Sequence, residues 1–370
     1  MIFAVSKLSG TNEGRGNFSF FWLAGRMVME DNNPYDESQY LAGQEKYDIT
    51  WRPNKIFPYP LQLALFFIPL GLISLEHAFL LWQAITLAIF AGTIYKLLDH
   101  WKTDAHHRLF IPLVVLLFFF GPLYLTLRTG AIGALPLLFT LGVILLFEKN
   151  NSIWAGILLA LTILKPPQGL PIIFLMSVWL LARRDWKAFY GLATGGIALL
   201  IIGLIQDPLW IIKFRDAGEA VMNRTLGVHS NVWAFAYLAC SGATVCSSFV
   251  GAISALCLLG LSGFYLWKNQ SQLAAWNALN LIIPIGFVST VYLWAYDQIL
   301  YIIPIVWIVG TLVQKTKSYI YAFLFLMFLV FYAFFAVGKL SETSHDLWSL
   351  GNTLIVLLGL FIANTLKQKQ

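Results

Sequence analysis

Residues 17–36, NFSFFWLAGRMVMEDNNPYD, and residues 57–70, FPYPLQLALFFIPL, enclose a long polar stretch near the start of this chain. Aromatic and apolar residues recur over 18–29 at spacings typical of a helix that lies on or near a membrane surface. The following Asp-Asn-Asn-Pro-Tyr-Asp predicts a turn, because proline and asparagine favour turns. No other long part of the sequence could fold in water, so we expect any active site to involve it.

The rest of the chain has the composition of a protein with several membrane spans. Hydrophobic residues make up 59% of the 370 residues and charged residues 11%, and the mean hydropathy of +0.73 excludes an ordinary soluble domain. Shorter apolar runs at 60–75, 152–165 and 168–182 predict half-helices. Longer runs predict full spans at 77–98, 109–127, 130–147, 187–206, 249–267, 274–294, 298–313, 318–337 and 347–366.

These runs predict an all-α, polytopic transmembrane bundle in two parts. Residues 1–76 form an N-terminal loop with interfacial helices, and residues 77–370 form a multi-span domain with a long outer loop at 207–248. Many basic residues lie in short loops that share one side if the spans alternate, among them Lys96, Lys149, Arg183, Arg184 and Lys268. The positive-inside rule assigns that side to the cytoplasm and places residues 1–59 outside.

The net charge of +6 is explained by these loops, and no compact basic module indicates nucleic-acid binding. Residues 1–16 lack the apolar core of a signal peptide. Since no span precedes residues 1–59, we expect a first span encoded upstream of Met1.

A proline-rich break interrupts the apolar stretch between residues 153 and 181. It reads Ile-Leu-Lys165-Pro166-Pro167-Gln-Gly-Leu-Pro over 163–171. Three prolines favour a broken helix, and a break at membrane depth is tolerated where it lines a polar cavity. A helix from Ile153 rises only about 20 Å before Lys165, so the lysine is expected to face such a cavity. The alternative is a lysine at a helix end that extends toward the interface.

The N-terminal stretch resembles glycosyltransferase family 87. The first outer loop of that family reads roughly Asp-Phe-x-x-Tyr-x-Ala-Gly, then Asn-Pro-Tyr-Asp, then Tyr-Pro-Pro-Leu, and the match is best over residues 17–60. The resemblance implies a GT-C type, mannosyltransferase-like enzyme. Such an enzyme moves a hexose from a polyprenyl-phosphate donor to a lipid or glycan acceptor, without a cofactor. The reaction would take place on the extracytoplasmic face of a bacterial plasma membrane.

Asn17 stands where the family has an acid, and an amide cannot take a proton from the attacking hydroxyl. Four carboxylates could substitute for it, namely Glu13, Asp31, Asp36 and Asp297. Asp36 also fits the cap of the next helix, and Asp297 also fits a helix cap.

The resemblance implies that Lys165 contacts the phosphate of the donor. Arg128 is a second candidate for this contact, with anchoring at the membrane interface as the alternative. The expected sugar or acceptor contacts are Tyr35, Tyr59, Trp294, Tyr296 and His229. Aromatic faces suit stacking on sugars, while a lone loop histidine such as His229 is also consistent with a surface position.

The cysteines and histidines carry no strong signal. Cys240 and Cys246 could pair or remain free thiols, and Cys257 is expected to pack within a span. The histidines lack metal-ligand spacing, so we predict no metal site.

Two alternatives from other classes remain open. One is a catalytically impaired relative, marked by Asn17, that binds lipid or glycan. The other is a transporter of a lipid-linked precursor, against which the missing internal repeats argue.

Overall fold

The computed structural model describes residues 16–49, 54–99, 113–114, 117, 120–225, 227–313, 323, 326, 329, 332–333 and 349–368. Within them every regular element is a helix, which confirms the predicted all-α membrane fold. Glu13 and most of the predicted span 318–337 lie outside the described residues.

The helices are numbered here in chain order. They are α1 (Gly16–Met29), α2 (Glu37–Lys46), α3 (Leu61–Phe66), α4 (Ile68–Gly71), α5 (Leu75–Asp99), α6 (Gly121–Thr129), α7 (Ala134–Glu148), α8 (Ser152–Leu161), α9 (Pro166–Arg183), α10 (Trp186–Gln206), α11 (Trp210–Thr225), α12 (Val232–Ala239), α13 (Thr244–Lys268), α14 (Ala275–Ser289), α15 (Ile302–Val313) and α16 (Leu350–Gln368). Short 3-10 helices cover Thr162–Leu164 and Ala295–Tyr301.

Four segments of the described chain are long and apolar enough to cross a bilayer: α5, α10, α13 and Ala295–Leu312. The most apolar stretch is 94% buried in Ala295–Leu312 but only 22% buried in α10 and 17% in α13. Residues 295–312 therefore form the centre of the bundle, while α10 and α13 expose apolar faces at its periphery, as lipid-facing helices do.

Two glycines allow α8 and α10 to pack backbone to backbone. A Cβ atom added to Gly156 would lie 2.0 Å from the Ala188 carbonyl oxygen, and one added to Gly191 would lie 2.0 Å from the Ile153 carbonyl oxygen. Small residues at such contacts are the usual means by which membrane helices approach closely. This pair holds α8, which leads directly to Lys165.

The predicted first helix is present, and the protein itself buries it. Phe18, Phe21 and Leu23 are at most 1% exposed, and both phenylalanine rings pack on Phe67 with centroids 6.1 and 5.3 Å apart. Apolar residues cover nearly all sides of α1, and a helix that is hydrophobic all round is buried. Its place at the membrane surface stays a prediction.

Charged residues fix α1 to its neighbours. Glu30 accepts hydrogen bonds from Arg26 at 3.0 Å and from Lys46 at 2.8 Å, and also one from Tyr47. Arg26 donates a further bond to the Gly71 carbonyl at 2.8 Å. Together these bonds join α1, α2 and α4 into one N-terminal unit, residues 16–71.

The N-terminal unit is also tied to the outer loop through Asp207. Its carboxylate accepts hydrogen bonds from Asn33 at 2.8 Å and Lys213 at 2.7 Å. Burial opposes ionisation of this carboxyl group, but the two hydrogen bonds prevail and lower the pKa of Asp207. The Asn-Pro-Tyr-Asp turn is thus fastened to the start of α11.

Two predicted spans differ from the observed helices. The predicted span 109–127 is interrupted at the extended residue Phe120, and α6 begins only at Gly121, with Pro122 in its first turn. The predicted half-helix 168–182 is an 18-residue helix, α9, about 27 Å long. It starts at Pro166 because proline is tolerated in the first turn, where its missing N–H has no intrahelical partner.

Two cysteines of the loop 207–248 are paired. A disulfide joins Cys240 and Cys246 and closes the turn between α12 and α13. Cys257 is free and exposed on α13, so the prediction that it packs in the interior was wrong.

Candidate active site

The helix break lies where the prolines predict it. The 3-10 turn Thr162–Leu164 ends at Lys165, whose backbone is extended with φ −122° and ψ 84°, and α9 begins at the next residue. The Lys165 carbonyl accepts from the Gly169 N–H at 2.9 Å. A Cβ atom on Gly169 would lie 2.2 Å from the Thr162 carbonyl oxygen, so glycine allows the tight packing that holds Lys165 in place.

Asp297 reaches the same place from the centre of the bundle. It lies in the short helix Ala295–Tyr301, after α14 has ended at Ser289. Its N–H donates to the Trp294 carbonyl at 2.9 Å, and its carboxylate accepts from the Trp294 N–H at 3.0 Å. Gln168, one turn past Lys165, donates to the Asp297 carbonyl at 3.1 Å. Hydrogen bonds thus hold the Asp297 backbone at its N–H and its carbonyl, and hold its carboxylate as well.

Lys165 and Asp297 form a buried ion pair. The Lys165 ammonium donates to the Asp297 carboxylate, and the side chains are 2% and 0% exposed. The same ammonium lies 5.2 Å from the centre of the Tyr296 ring, within the range of a cation–π contact. An ammonium held between a carboxylate and an aromatic face can bind a further anion.

An aromatic row continues from Tyr296. The Trp294 ring stacks on it with centroids 6.2 Å apart and an interplanar angle of 21°. His229 meets the Trp294 ring edge-on at 4.8 Å and the Tyr292 ring at 4.7 Å. Three residues predicted as sugar contacts, Trp294, Tyr296 and His229, are therefore neighbours beside the ion pair.

The N-terminal unit approaches this cluster through Tyr59. Burial raises the pKa of the Tyr59 hydroxyl, and the nearby Tyr292 and Asp297 raise it further. Tyr35 lies behind Tyr59 and donates its hydroxyl hydrogen bond to the Tyr59 carbonyl. Tyr59 thus feels the charge of Asp297 while its ring packs on Phe21 and Phe57, and Tyr35 supports its backbone.

Three predicted residues form no hydrogen bond or ion pair with the side chains of Lys165 and Asp297 in the described part of the chain. Asp36 caps α2 by accepting from the Gln39 N–H at 2.9 Å, which is the structural role weighed from the sequence. Arg128 is exposed at the end of α6, although Thr126, half a turn earlier, donates to the Tyr296 carbonyl at 2.9 Å. Asn17 is half-buried near the start of α1 and makes no side-chain hydrogen bond to Lys165 or Asp297.

A buried polar network next to Asp297 was not predicted. Gln298 donates to the Ser349 carbonyl at 2.9 Å and accepts from the Asn352 amide at 2.8 Å. Ser349 is in turn hydrogen-bonded to Ser230 in the outer loop. The network fastens the last helix to the site, but the contacts join residues 51 and more positions apart, and no sequence signal links them.

No group of three or more metal-ligating side chains occurs in the part of the chain that the structure describes. The chemistry available there is a cation, a carboxylate, aromatic faces and an imidazole.

The polytopic all-α fold and its buried ion pair can now be compared with known protein families. The model of glycosyltransferase family 87 matches residues 57–290 of the 370. The chain belongs to glycosyltransferase family 87. Membership implies that this membrane protein transfers a sugar from a donor to an acceptor. No curated protein and no solved structure matches the chain.

Some candidate residues lie within the range that the family 87 model matches, and others lie outside it. Tyr59, Arg128, Lys165 and His229 lie within the matched range, whereas Asn17, Asp36 and the segment 294–297 lie outside it. The family assignment therefore includes the lysine of the ion pair and leaves its carboxylate to be argued from geometry.

Proposed function

We propose that this family 87 protein transfers a hexose from a polyprenyl-phosphate donor to a lipid or glycan acceptor on the extracytoplasmic face of the membrane. The observation that carries the proposal is the buried Lys165 ammonium, held between Asp297 and Tyr296. A cation fixed in a site of low dielectric constant is suited to a phosphate on which charge develops as it leaves.

Lys165 binds the donor phosphate in this scheme. The ammonium has three hydrogens to donate, and the Asp297 carboxylate accepts one of them at rest. When the donor binds, its phosphate shares the ammonium with the carboxylate. As the bond between the sugar carbon and the phosphate oxygen breaks, the electron pair leaves with the polyprenyl phosphate and Lys165 stabilises the added charge.

Asp297 accepts the proton of the attacking hydroxyl. Among the carboxylates that could substitute for Asn17, Asp31 is exposed and Asp36 caps α2, whereas Asp297 lies against the phosphate-binding cation. The acceptor oxygen forms the new bond to the sugar carbon while its proton passes to the Asp297 carboxylate. General-base catalysis of this kind contributes about 100- to 10,000-fold.

The aromatic residues form the sugar platform. Trp294 and Tyr296 present stacked rings beside the ion pair, and Tyr59 of the N-terminal unit is the third aromatic residue of this proposed platform. Aromatic side chains combine large contact area with few rotatable bonds, which suits them to hold a ring-shaped ligand.

The outer orientation is supported by two independent features. The basic loops share one side of the predicted spans, which favours the cytoplasm for that side. The outer loop instead carries the Cys240–Cys246 disulfide, and disulfides persist in oxidising compartments. Nucleotide sugars are made in the cytoplasm, so a site on the opposite face requires a lipid-linked donor.

Reconstituted protein tests the proposal directly. Proteoliposomes with a membrane lipid extract as acceptor receive polyprenyl-phosphate mannose, glucose or galactose, or the corresponding nucleotide sugars, and products are detected by mass spectrometry. We expect transfer from at least one lipid-linked hexose and none from nucleotide sugars.

Two lysine variants, one in the site and one on the surface as its control, extend the test. Lys165→Met should abolish transfer, whereas Lys55→Met, which changes a lysine that is 74% exposed, should leave it unchanged. Transfer from a nucleotide sugar would refute the donor assignment. Binding of lipid-linked hexoses without turnover would favour the impaired relative.

A further inference from the structure

His229 lies in a buried loop that is fixed on its C-terminal side. The next residue, Ser230, is hydrogen-bonded to Ser349. Asn231 donates to the Val291 carbonyl at 3.1 Å and accepts from the Ala234 N–H at 3.0 Å. These bonds join the loop to the last helix and to the chain just before Trp294, so the position of His229 does not depend on its own side chain.

The imidazole makes no well-formed hydrogen bond in the part of the chain that the structure describes, and the Leu293 backbone approaches it only loosely. His229 is 1% exposed, and both of its ring nitrogens are buried and unpaired. Most buried polar groups in native proteins are paired, because an unpaired one is costly. An unpartnered imidazole next to Trp294 therefore points to a ligand.

The charge state of His229 narrows the chemistry of that ligand. Burial lowers the pKa of the imidazole to about 4, and the nearby Leu293 backbone offsets this only in part. The ring is therefore neutral at pH 7, with one nitrogen that donates and one that accepts. A hydroxyl group, which also donates and accepts, matches this pattern, whereas a phosphate offers acceptors alone.

The position of His229 relative to Lys165 fits a sugar phosphate. Trp294 lies between His229 and Tyr296, and the ammonium of Lys165 lies over Tyr296. A chain of ring contacts through Trp294 and Tyr296 thus links the imidazole to the cation. We propose that His229 hydrogen-bonds a hydroxyl of the transferred hexose while Lys165 holds the donor phosphate, an inference that rests on the proposed function.

A series of deoxy donors tests this inference. The probes are polyprenyl-phosphate hexoses of the accepted sugar that each lack one hydroxyl, compared with the parent donor in proteoliposomes. For the wild type, we expect kcat/KM to fall about 10- to 100-fold for one position, since a site built to bind a hydroxyl rejects the analogue without it.

His229→Phe keeps a ring between Tyr292 and Trp294 but removes both nitrogens. This variant should lose a similar factor on the parent donor and lose nothing further on that one deoxy donor, because the two changes delete the same contact. His229→Gln, which retains a donor and an acceptor, should recover part of the discrimination. Unfolding of each variant in mixed micelles shows whether the fold is intact.

The possible results distinguish a failure of the His229 inference from a failure of the proposed function. If His229→Phe retains the deoxy-sugar pattern of the wild type at every position, the inference is refuted while the transferase proposal stands. If His229→Phe fails to fold, His229→Leu, which also removes both nitrogens, decides by the same comparison. If the wild type accepts none of the lipid-linked hexoses, the proposed function fails and the inference with it.

Discussion

A double-mutant cycle at Lys165 and Asp297 should separate what their ion pair contributes to the stability of the fold from what it contributes to transferase activity. Lys165→Met removes the ammonium and leaves the Asp297 carboxylate buried without its cation. Asp297→Asn removes the negative charge and leaves the ammonium buried in the same way. The double variant removes both charges and keeps side chains of similar size.

The magnitudes follow from the burial of the pair. Its side chains are 2% and 0% exposed, so each single variant should lower the free energy of unfolding by about 3–5 kcal/mol, the usual cost of leaving one buried charge uncompensated. The double variant should lie within about 1 kcal/mol of the wild type, since replacing a whole buried pair is often neutral. The two single costs then exceed the cost of the double variant by about 5 kcal/mol or more, which is the coupling energy of the cycle.

An exposed lysine–carboxylate pair supplies the control. Lys55 and Glu37 are 3.0 Å apart but 74% and 54% exposed, and their cycle should give a coupling energy below about 1 kcal/mol. Both cycles are measured by SDS titration of the protein in mixed micelles, together with transferase activity. The double variant at Lys165 and Asp297 should be stable and inactive.

Two results would refute this reasoning. If Lys165→Met and Asp297→Asn cost no more than the surface variants, the pair is not desolvated as the structure indicates. If the stable double variant retains activity, the pair serves the fold alone, and the phosphate cation and the base lie elsewhere.

Three further predictions follow from other parts of the structure. If Asp297 is the base, Asn17→Asp should change activity in the same transfer assay by less than about threefold. A gain of about 100-fold or more would instead assign proton transfer to α1. In SDS titrations, Gly156→Ala at the α8–α10 contact should lower the free energy of unfolding by more than about 2 kcal/mol. Its control is Gly196→Ala on α10, where a Cβ atom meets open space, and this variant should not destabilise the protein. With Cys257 changed to serine, an impermeant thiol reagent added outside intact cells should label exposed Ala42→Cys and not exposed Lys187→Cys, and the reverse pattern would overturn the orientation.

Sequence reasoning found the parts of the fold that composition and proline dictate. The apolar runs 77–98, 187–206 and 249–267 are helices close to those limits, because a span must be long, apolar and helical to satisfy its backbone in lipid. The break at Lys165 could also be predicted, since Pro166 and Pro167 fit the start of a helix far better than its interior. These signals are local, and they do not depend on what packs against the segment.

The rest depends on tertiary contacts that local patterns do not contain. The aromatic run of α1 predicts a helix but not which partners bury it, and these partners include Phe67. Arg128 and Asp297 both sit at the predicted outer ends of spans, yet one side chain is exposed and the other is fully buried. The difference comes from the short helix after Trp294, which turns Asp297 inward, and from Gly130, which ends α6 directly after Thr129.

The pairing of Lys165 with Asp297 bears on how an enzyme can function with Asn17 at the position of the family acid. A carboxylate bound to an ammonium is a poor base, because its charge is already neutralised. Under the proposed function, the donor phosphate competes for that ammonium and leaves the carboxylate beside a second negative charge. Like charges favour protonation of a carboxyl group, so donor binding would itself strengthen Asp297 as the base. The proton acceptor would then be active only when the sugar to be transferred is already in place.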